Sequence, residues 1–286
     1  MNKKRIIKIL SLIMMLALLT GCTIARDADG NIKLITLQTS IMDMKDEGVF
    51  SAILIYPLSQ AINYLSQYLG VGLAIMIVTL LLNGIVLAFT FKSNVSMQRM
   101  QDLQPELQKI QRKYEGRDDS TSQQRMNMEM TKLYQKYDVN PMTALLVSFL
   151  QFPILFAMYS AVQRSAAVAQ GTFLGADLSL TPMQNFTNGT IVGFVIYGLM
   201  LILQFLSISI VRWLQAYRTK QKADKEHRHY EKPKDQNAMV SYGMLIFIGV
   251  LMISWPTALS LYYAIYSLVN ILKSIIIDKL THKEEV

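Results

Sequence analysis

The 286-residue sequence holds a single cysteine, two tryptophans, three histidines and seven prolines. One thiol excludes an intrachain disulfide and a thiolate-held metal cluster. Two of the histidines, His227 and His229, sit inside a charge run and read as solvated, so no metal site is expected. No Gly-rich phosphate loop appears, and no nucleotide or other cofactor is expected. Charge is scarce as well: Asp, Glu, Lys and Arg make up 17% of the chain, against about 25% in a soluble domain. Hydrophobic residues fill that gap at 52%, and the mean hydropathy is positive.

The few charges are unevenly placed. The formal net charge is +8, but Lys and Arg gather in residues 92–136 and 212–234, while Ser165 to Gly189 contains neither. Alternation of basic and base-free connections is the positive-inside pattern of a membrane protein and sets its orientation. Acidic lipid headgroups are the expected partners of the basic stretches; nucleic acid is not. The N-terminus adds a second signal. Lys3-Lys4-Arg5 precedes the apolar run Ile9 to Leu19, and Leu19-Thr20-Gly21-Cys22 closes it. Charged end, short apolar core and small residues before a cleavage point make a secretory signal. With Cys22 where the mature chain begins, the segment looks like the lipobox of a bacterial lipoprotein, which puts a lipidated N-terminus on the outer face of the cell membrane.

The expected organisation is all-α and polytopic. After signal residues 1–21, residues 22–70 form an external tether followed by an amphipathic surface helix, whose apolar run is interrupted by Pro57, Gln60, Asn63 and Gln67. The first span is 71–91, since an apolar run of about 20 residues crosses the hydrocarbon as a helix. Residues 92–140 form a cytoplasmic helical hairpin. Met97, Met100, Leu103, Leu107, Ile110 and Tyr114 recur at helical spacing, Gly116 marks a turn, and Met126, Met130, Leu133 and Tyr137 follow. Ser120 with Gln123 predicts a capping box. The stripe is either the hairpin's own seam or an adaptable Met surface for varied partners.

The second span is 141–163, carrying Gln151 and Pro153, and 164–189 is an external loop. Its two Asn-x-Thr sequons, at Asn185 and Asn188, are discounted in a bacterial lipoprotein. The third span is 190–211, with Gln204 toward its cytoplasmic side, and 212–239 is a basic cytoplasmic loop. Residues 240–277 form the fourth and fifth spans, turning at Trp255-Pro256, and 278–286 is a cytoplasmic tail.

The spans are read as free of Asp, Glu, Lys, Arg and His, which leaves no relay of the kind pumps use. Their polar groups are amides, hydroxyls and phenols. Thr79, Asn83 and Thr90 share one side of the first span, and Ser260, Tyr263, Ser267, Asn270 and Ser274 form one face of the last. Such faces are either interhelical glue or the lining of a wetted cavity, and periodicity leaves both open.

Four stretches in order carry a resemblance. Gly72-Leu73-Ala74-Ile75 to Leu82 precedes Met97-Gln98-Arg99-Met100-Gln101-Asp102-Leu103-Gln104-Pro105-Glu106-Leu107. Asn140-Pro141 precedes Gln151-Phe152-Pro153-Ile154-Leu155-Phe156-Ala157-Met158-Tyr159, and Trp255-Pro256-Thr257-Ala258-Leu259-Ser260-Leu261-Tyr262-Tyr263 follows. Together they resemble the YidC-type membrane insertases, in their Gram-positive lipoprotein branch. The resemblance implies an insertase or chaperone for newly made membrane proteins, acting alone or with the Sec translocon and ribosome. It also implies a polar intramembrane groove at Asn83, Thr79, Gln151, Gln204 and Tyr263. Gln204 matches the family's polar position. Asn83, however, stands where the family usually carries arginine, and Tyr263 where it often carries tryptophan. The departure at Asn83 admits a second reading, a specialised paralogue acting as chaperone or regulator with weak insertase activity. A small transporter is disfavoured, because no internal repeat is visible. No enzymatic activity is expected on either reading.

Overall fold

A computed structural model describes residues 24–117, 119–140, 142–225, 227 and 238–282. Cys22 and the signal segment 1–21 lie outside the described residues, as do Pro141, His229, much of the second basic loop and the end of the tail. The architecture is all-α with one two-residue hairpin. In chain order the helices are α1 (Tyr56–Leu69), α2 (Val71–Asp102), α3 (Gln104–Lys113), α4 (Ser120–Lys136), α5 (Met142–Arg164), α6 (Ala166–Ala169), α7 (Pro182–Thr187), α8 (Val192–Lys225), α9 (Ala238–Ile253) and α10 (Thr257–His282). Between α6 and α7, β1 (Thr172–Phe173) and β2 (Ala176–Asp177) pair antiparallel. Leu174 and Gly175 both have positive φ at their turn, the backbone a tight two-residue hairpin demands.

Among the described residues, three helices are long and apolar enough to cross a membrane: Val71–Asp102, Val192–Lys225 and Thr257–Thr281. Ser241–Ile253 is apolar but shorter. The 23-residue α5 carries Pro153 in its interior. The 32-residue α2 is about 48 Å long at 1.5 Å per residue, well beyond a hydrocarbon core of about 30 Å. It therefore runs unbroken through Lys92, and the expected boundary between span and hairpin at 91/92 is no break in the helix.

The chain forms two compact units whose boundaries fall inside helices. The described part of Met1–Leu82, with Leu150–Ile202 and Phe247–Tyr266, makes the first. Here the described part of the stretch before α1 packs against α1 and α5. Ile35 bridges in parallel to Ser165, and Ile35, Met44, Ile55 and Ala161 bury one another with Phe50 and Tyr56 around them. Helix α1 turns its polar residues inward. Ser59 donates to the Ala161 carbonyl at 3.2 Å, and buried Asn63 donates to the Ile35 carbonyl at 2.6 Å while accepting from Ser165 Oγ at 2.7 Å. Tyr64, Tyr68 and Leu69 are left exposed.

Arg164, at the end of α5, is 1% exposed. It donates from Nη2 to Glu47 Oε1 at 3.0 Å and from Nε to the Lys33 carbonyl at 2.9 Å. In the 164–189 loop, Asn185 donates to the Asp177 carbonyl at 2.7 Å and to Thr257 Oγ1 at 3.1 Å, and accepts from the Asp177 amide at 2.9 Å. A sequon residue thus serves as a buried staple between the loop and the first turn of α10.

The second unit comprises Asn83–Phe149, Leu203–Ile246 and Ser267–Val286. Its hairpin closes on itself: Leu103, Leu107 and Val139 form a buried cluster against Met100, Met130, Leu133 and Tyr134. The seam reading of the stripe holds for these residues, with Tyr134 in place of the expected Tyr137. Lys113 pairs with Glu129 at 2.6 Å, and Tyr114 donates to the same carboxylate at 2.8 Å. The cap of α4 is Asp119, which accepts from the Ser122 amide at 2.8 Å. The expected Ser120–Gln123 capping box is corrected by one residue, because Ser120 already sits inside the helix.

Candidate functional site

The polar stripe of α2 continues past the point where sequence reading ended the first span. Thr90 donates to the Val86 carbonyl at 2.7 Å, and Asn94 donates to the Thr90 carbonyl and hydroxyl, each at 2.9 Å. Asn94 and Gln98 are buried. With Gln101 they form one wall of a cavity of about 190 Å³ within the second unit, whose other walls come from α8 and α10. Helix α10 contributes Asn270, Lys273 and Ser274. Lys273 lies about 24 Å of helix beyond Thr257 at 1.5 Å per residue, toward the far end of a core about 30 Å thick.

Lys273 overturns one expectation: the block 240–277 is not free of ionisable groups. It stands in an otherwise apolar stretch of α10. Five residues further, buried Asp278 is engaged by Arg218, whose Nη2 donates to Oδ2 at 2.7 Å. Lys273 has no carboxylate in ion-pair range among the described residues. Gln101 Oε1 is likewise buried with no hydrogen-bond partner among them. The Lys273 cation on this cavity is an opportunity for an anionic ligand.

The expected groove residues divide between the units. Thr79, Gln151 and Tyr263 belong to the first, Asn83 and Gln204 to the second. Thr79 is fully buried and donates back to the Ile75 carbonyl at 2.7 Å, so its hydroxyl is spent within its own helix. Tyr263 is buried, with its ring 5.3 Å from Tyr262 and 6.0 Å from Tyr266. Gln151 and Asn83 are half-buried. Gln204 accepts a short hydrogen bond from Ser267 Oγ, which ties α8 to α10. The polar face of α10 therefore has two characters. At Ser267 it is interhelical glue, and at Asn270 and Ser274 it lines the cavity.

Asn94, Gln98, Gln101 and Lys273 were missed as site residues. The first three follow Lys92, the residue after the expected span, but their spacing of three to four residues continues the Thr79–Asn83–Thr90 stripe. Arg164, Glu47, Asn63 and Asn185 were missed as structural anchors, since their partners lie far away in sequence.

An all-α membrane protein with a polar cavity set among its long apolar helices is the class these observations define. The family model described as 60Kd inner membrane protein matches residues 63–285, and the chain belongs to that family. It is 33% identical over 229 residues to the membrane protein insertase YidC 2 of Bacillus anthracis, covering 79% of this chain and 80% of that protein. It is 30% identical over 277 residues to the membrane protein insertase MisCA of Bacillus subtilis, covering 96% and 92%. The YidC of Oceanobacillus iheyensis is 29% identical over 95% of each chain.

Proposed function

We propose that this protein helps newly made membrane proteins insert, fold or assemble in the bacterial cell membrane. Its relatives are named membrane protein insertases. The observation that carries the reading is the amide-lined cavity of the second unit, built on helices otherwise apolar enough to span. A polar client segment in hydrocarbon leaves backbone groups unsatisfied, at several kcal/mol each. A cavity offering amides, hydroxyls and one ammonium satisfies them partway across and shortens the path through lipid. Asn83 and Gln204, which belong to the same unit as the cavity, are assigned to its polar lining, and Thr79, Gln151 and Tyr263 are assigned as polar groove positions of the first unit. The protein acts by binding and release rather than as an enzyme. Its partners are newly made membrane proteins, with the Sec translocon and the ribosome as sources of clients and acidic lipids against the basic loops.

The remaining features of the proposal are five spans, a Cys22 lipid anchor with the N-terminus outside, and a cytoplasmic C-terminus. Rescue of cells depleted of their own insertases tests the function directly. Restored insertion of a single-span client supports the insertase reading. Binding of clients without rescue supports instead the specialised chaperone or regulator, which Asn83 favours because an amide attracts acidic client tails less than a cation does. Ion or solute flux through proteoliposomes of the purified protein defeats both readings in favour of a transporter.

A further inference from the structure

We infer that the cavity around Lys273 seats the phosphate of one anionic lipid, whose acyl chains lie outside it along the flank of α10. The inference stands apart from the insertase reading and needs only that α10 spans the membrane. It differs from a diffuse attraction of acidic lipid to the basic loops, because it names a single site within the second unit. Three side chains on the cavity carry donors that no described residue takes up. Lys273 has no carboxylate in ion-pair range among the described residues, and the Asp278 carboxylate is held by Arg218. Gln98 on α2 is only 7% exposed, and Asn270 lies one turn before Lys273 on α10. Neither of their side-chain amides makes a hydrogen bond to a described residue. An ammonium with amide N–H groups from two helices is a donor set for an oxyanion. The surface beside the cavity selects a lipid over a soluble anion. Leu268, Leu272, Ile276 and Leu280 recur every four residues on α10 and are all exposed, an apolar stripe adjoining Lys273. Lys273 also lies about 24 Å along α10 from Thr257 at 1.5 Å per residue, near the far face of a core about 30 Å thick. A phosphate at that level lets its chains run back along Leu272 and Leu268 toward the middle of the bilayer. The cavity of about 190 Å³ takes the headgroup alone. One ammonium matches the single charge of phosphatidylglycerol, whereas phosphatidylethanolamine brings an ammonium of its own, which Lys273 repels.

The test is native mass spectrometry of the full-length protein in detergent with phosphatidylglycerol, phosphatidylethanolamine or inorganic phosphate added. We expect one phosphatidylglycerol to be retained about tenfold more strongly than phosphatidylethanolamine, the size of one charge-assisted hydrogen bond. Lys273→Gln should abolish that preference and Lys273→Arg should keep it, which guards against misfolding of the glutamine variant. Lys220→Gln, which alters an exposed lysine of α8, should leave retention unchanged. Leu272→Ser should weaken phosphatidylglycerol by removing part of the acyl contact. Equal retention of the two lipids by the unaltered protein overturns the inference. So does an equal loss in Lys220→Gln and Lys273→Gln, which would mean surface charge in general. Displacement of phosphatidylglycerol by millimolar inorganic phosphate, with Leu272→Ser silent, overturns the lipid in favour of a free-phosphate site. Rescue of insertion reads out the insertase function separately from each of these results.

Discussion

Arg164 shows how one residue holds the stretch before α1 against the end of α5. Its guanidinium is buried against Glu47, and Lys33 adds a second contact to the same carboxylate at 3.0 Å. Removing one partner of a buried pair leaves the other charge uncompensated, so Glu47→Gln should destabilise the docked segment by about 3–5 kcal/mol. Burial pushes the Glu47 carboxyl up, but the hydrogen bonds from Arg164 and Lys33 outweigh it and hold it below the ordinary value of 4.5. The folded state thus binds its proton more weakly than the unfolded chain does. The pair contributes stability above the ordinary carboxylate range and loses it as pH falls through the lowered value. Proteolysis at Lys33 and Lys45 should therefore rise below about pH 4.5, and in Glu47→Gln it should be fast at every pH. At Asn83 the expectation is functional. Asn83→Leu should impair client insertion, whereas Asn83→Arg should be tolerated and should extend the client range toward acidic tails. If Asn83→Arg instead abolishes folding, the site is dry and packed rather than part of a polar lining.

At the scale of elements, the hairpin of α3 and α4 is held by a small seam. Leu107→Ala should cost about 2–5 kcal/mol of local stability. Because that seam lies within the second unit, hydrogen exchange should quicken in residues 104–136 and stay slow in 154–168. Equal loss of protection in both would show that the hairpin is not an independent cooperative unit. The 164–189 loop behaves oppositely. Asn185 satisfies groups on β2, on the turn before α7 and on α10, so Asn185→Ala should cost about 1–3 kcal/mol, read as a lower thermal midpoint of the purified protein. Gly193 adds to this constraint: a Cβ there would come within 2.8 Å of Asn185 Cβ.

For the molecule as a whole, the proposed five-span topology is open to labelling because Cys22 is the sole native thiol. Cysteines at Gly116 and Lys225 should react with an impermeant reagent only after the membrane is opened, and one in the 164–189 loop should react in intact cells. Ala176 is fully buried, so Leu174, at 74% exposure on the hairpin tip, is the position to label. Reaction at Leu174 only after permeabilisation would invert the topology. Mass spectrometry should find a diacylglyceryl cysteine at residue 22 as the first residue of the mature chain. Recovery of residues 1–21 on the membrane-inserted protein would remove the lipid anchor from the proposal.

Sequence by itself determined the all-α class, the long apolar helices and the order of segments. Each of these follows from periodicity, apolar run length and charge placement within some twenty residues. It also pointed to the seam of the hairpin, because Leu103, Leu107, Met130 and Leu133 repeat at helical spacing. Tertiary structure alone decided which polar residues are spent and which are available. Gln204 is taken by Ser267 from another helix. Lys273 lines the cavity, while Arg218 reaches Asp278 from another helix. Likewise Arg164 meets Glu47 across 117 residues of chain. A hydrogen bond or ion pair between distant segments leaves no periodic trace in either of them, since its existence depends on where the folded backbone brings them.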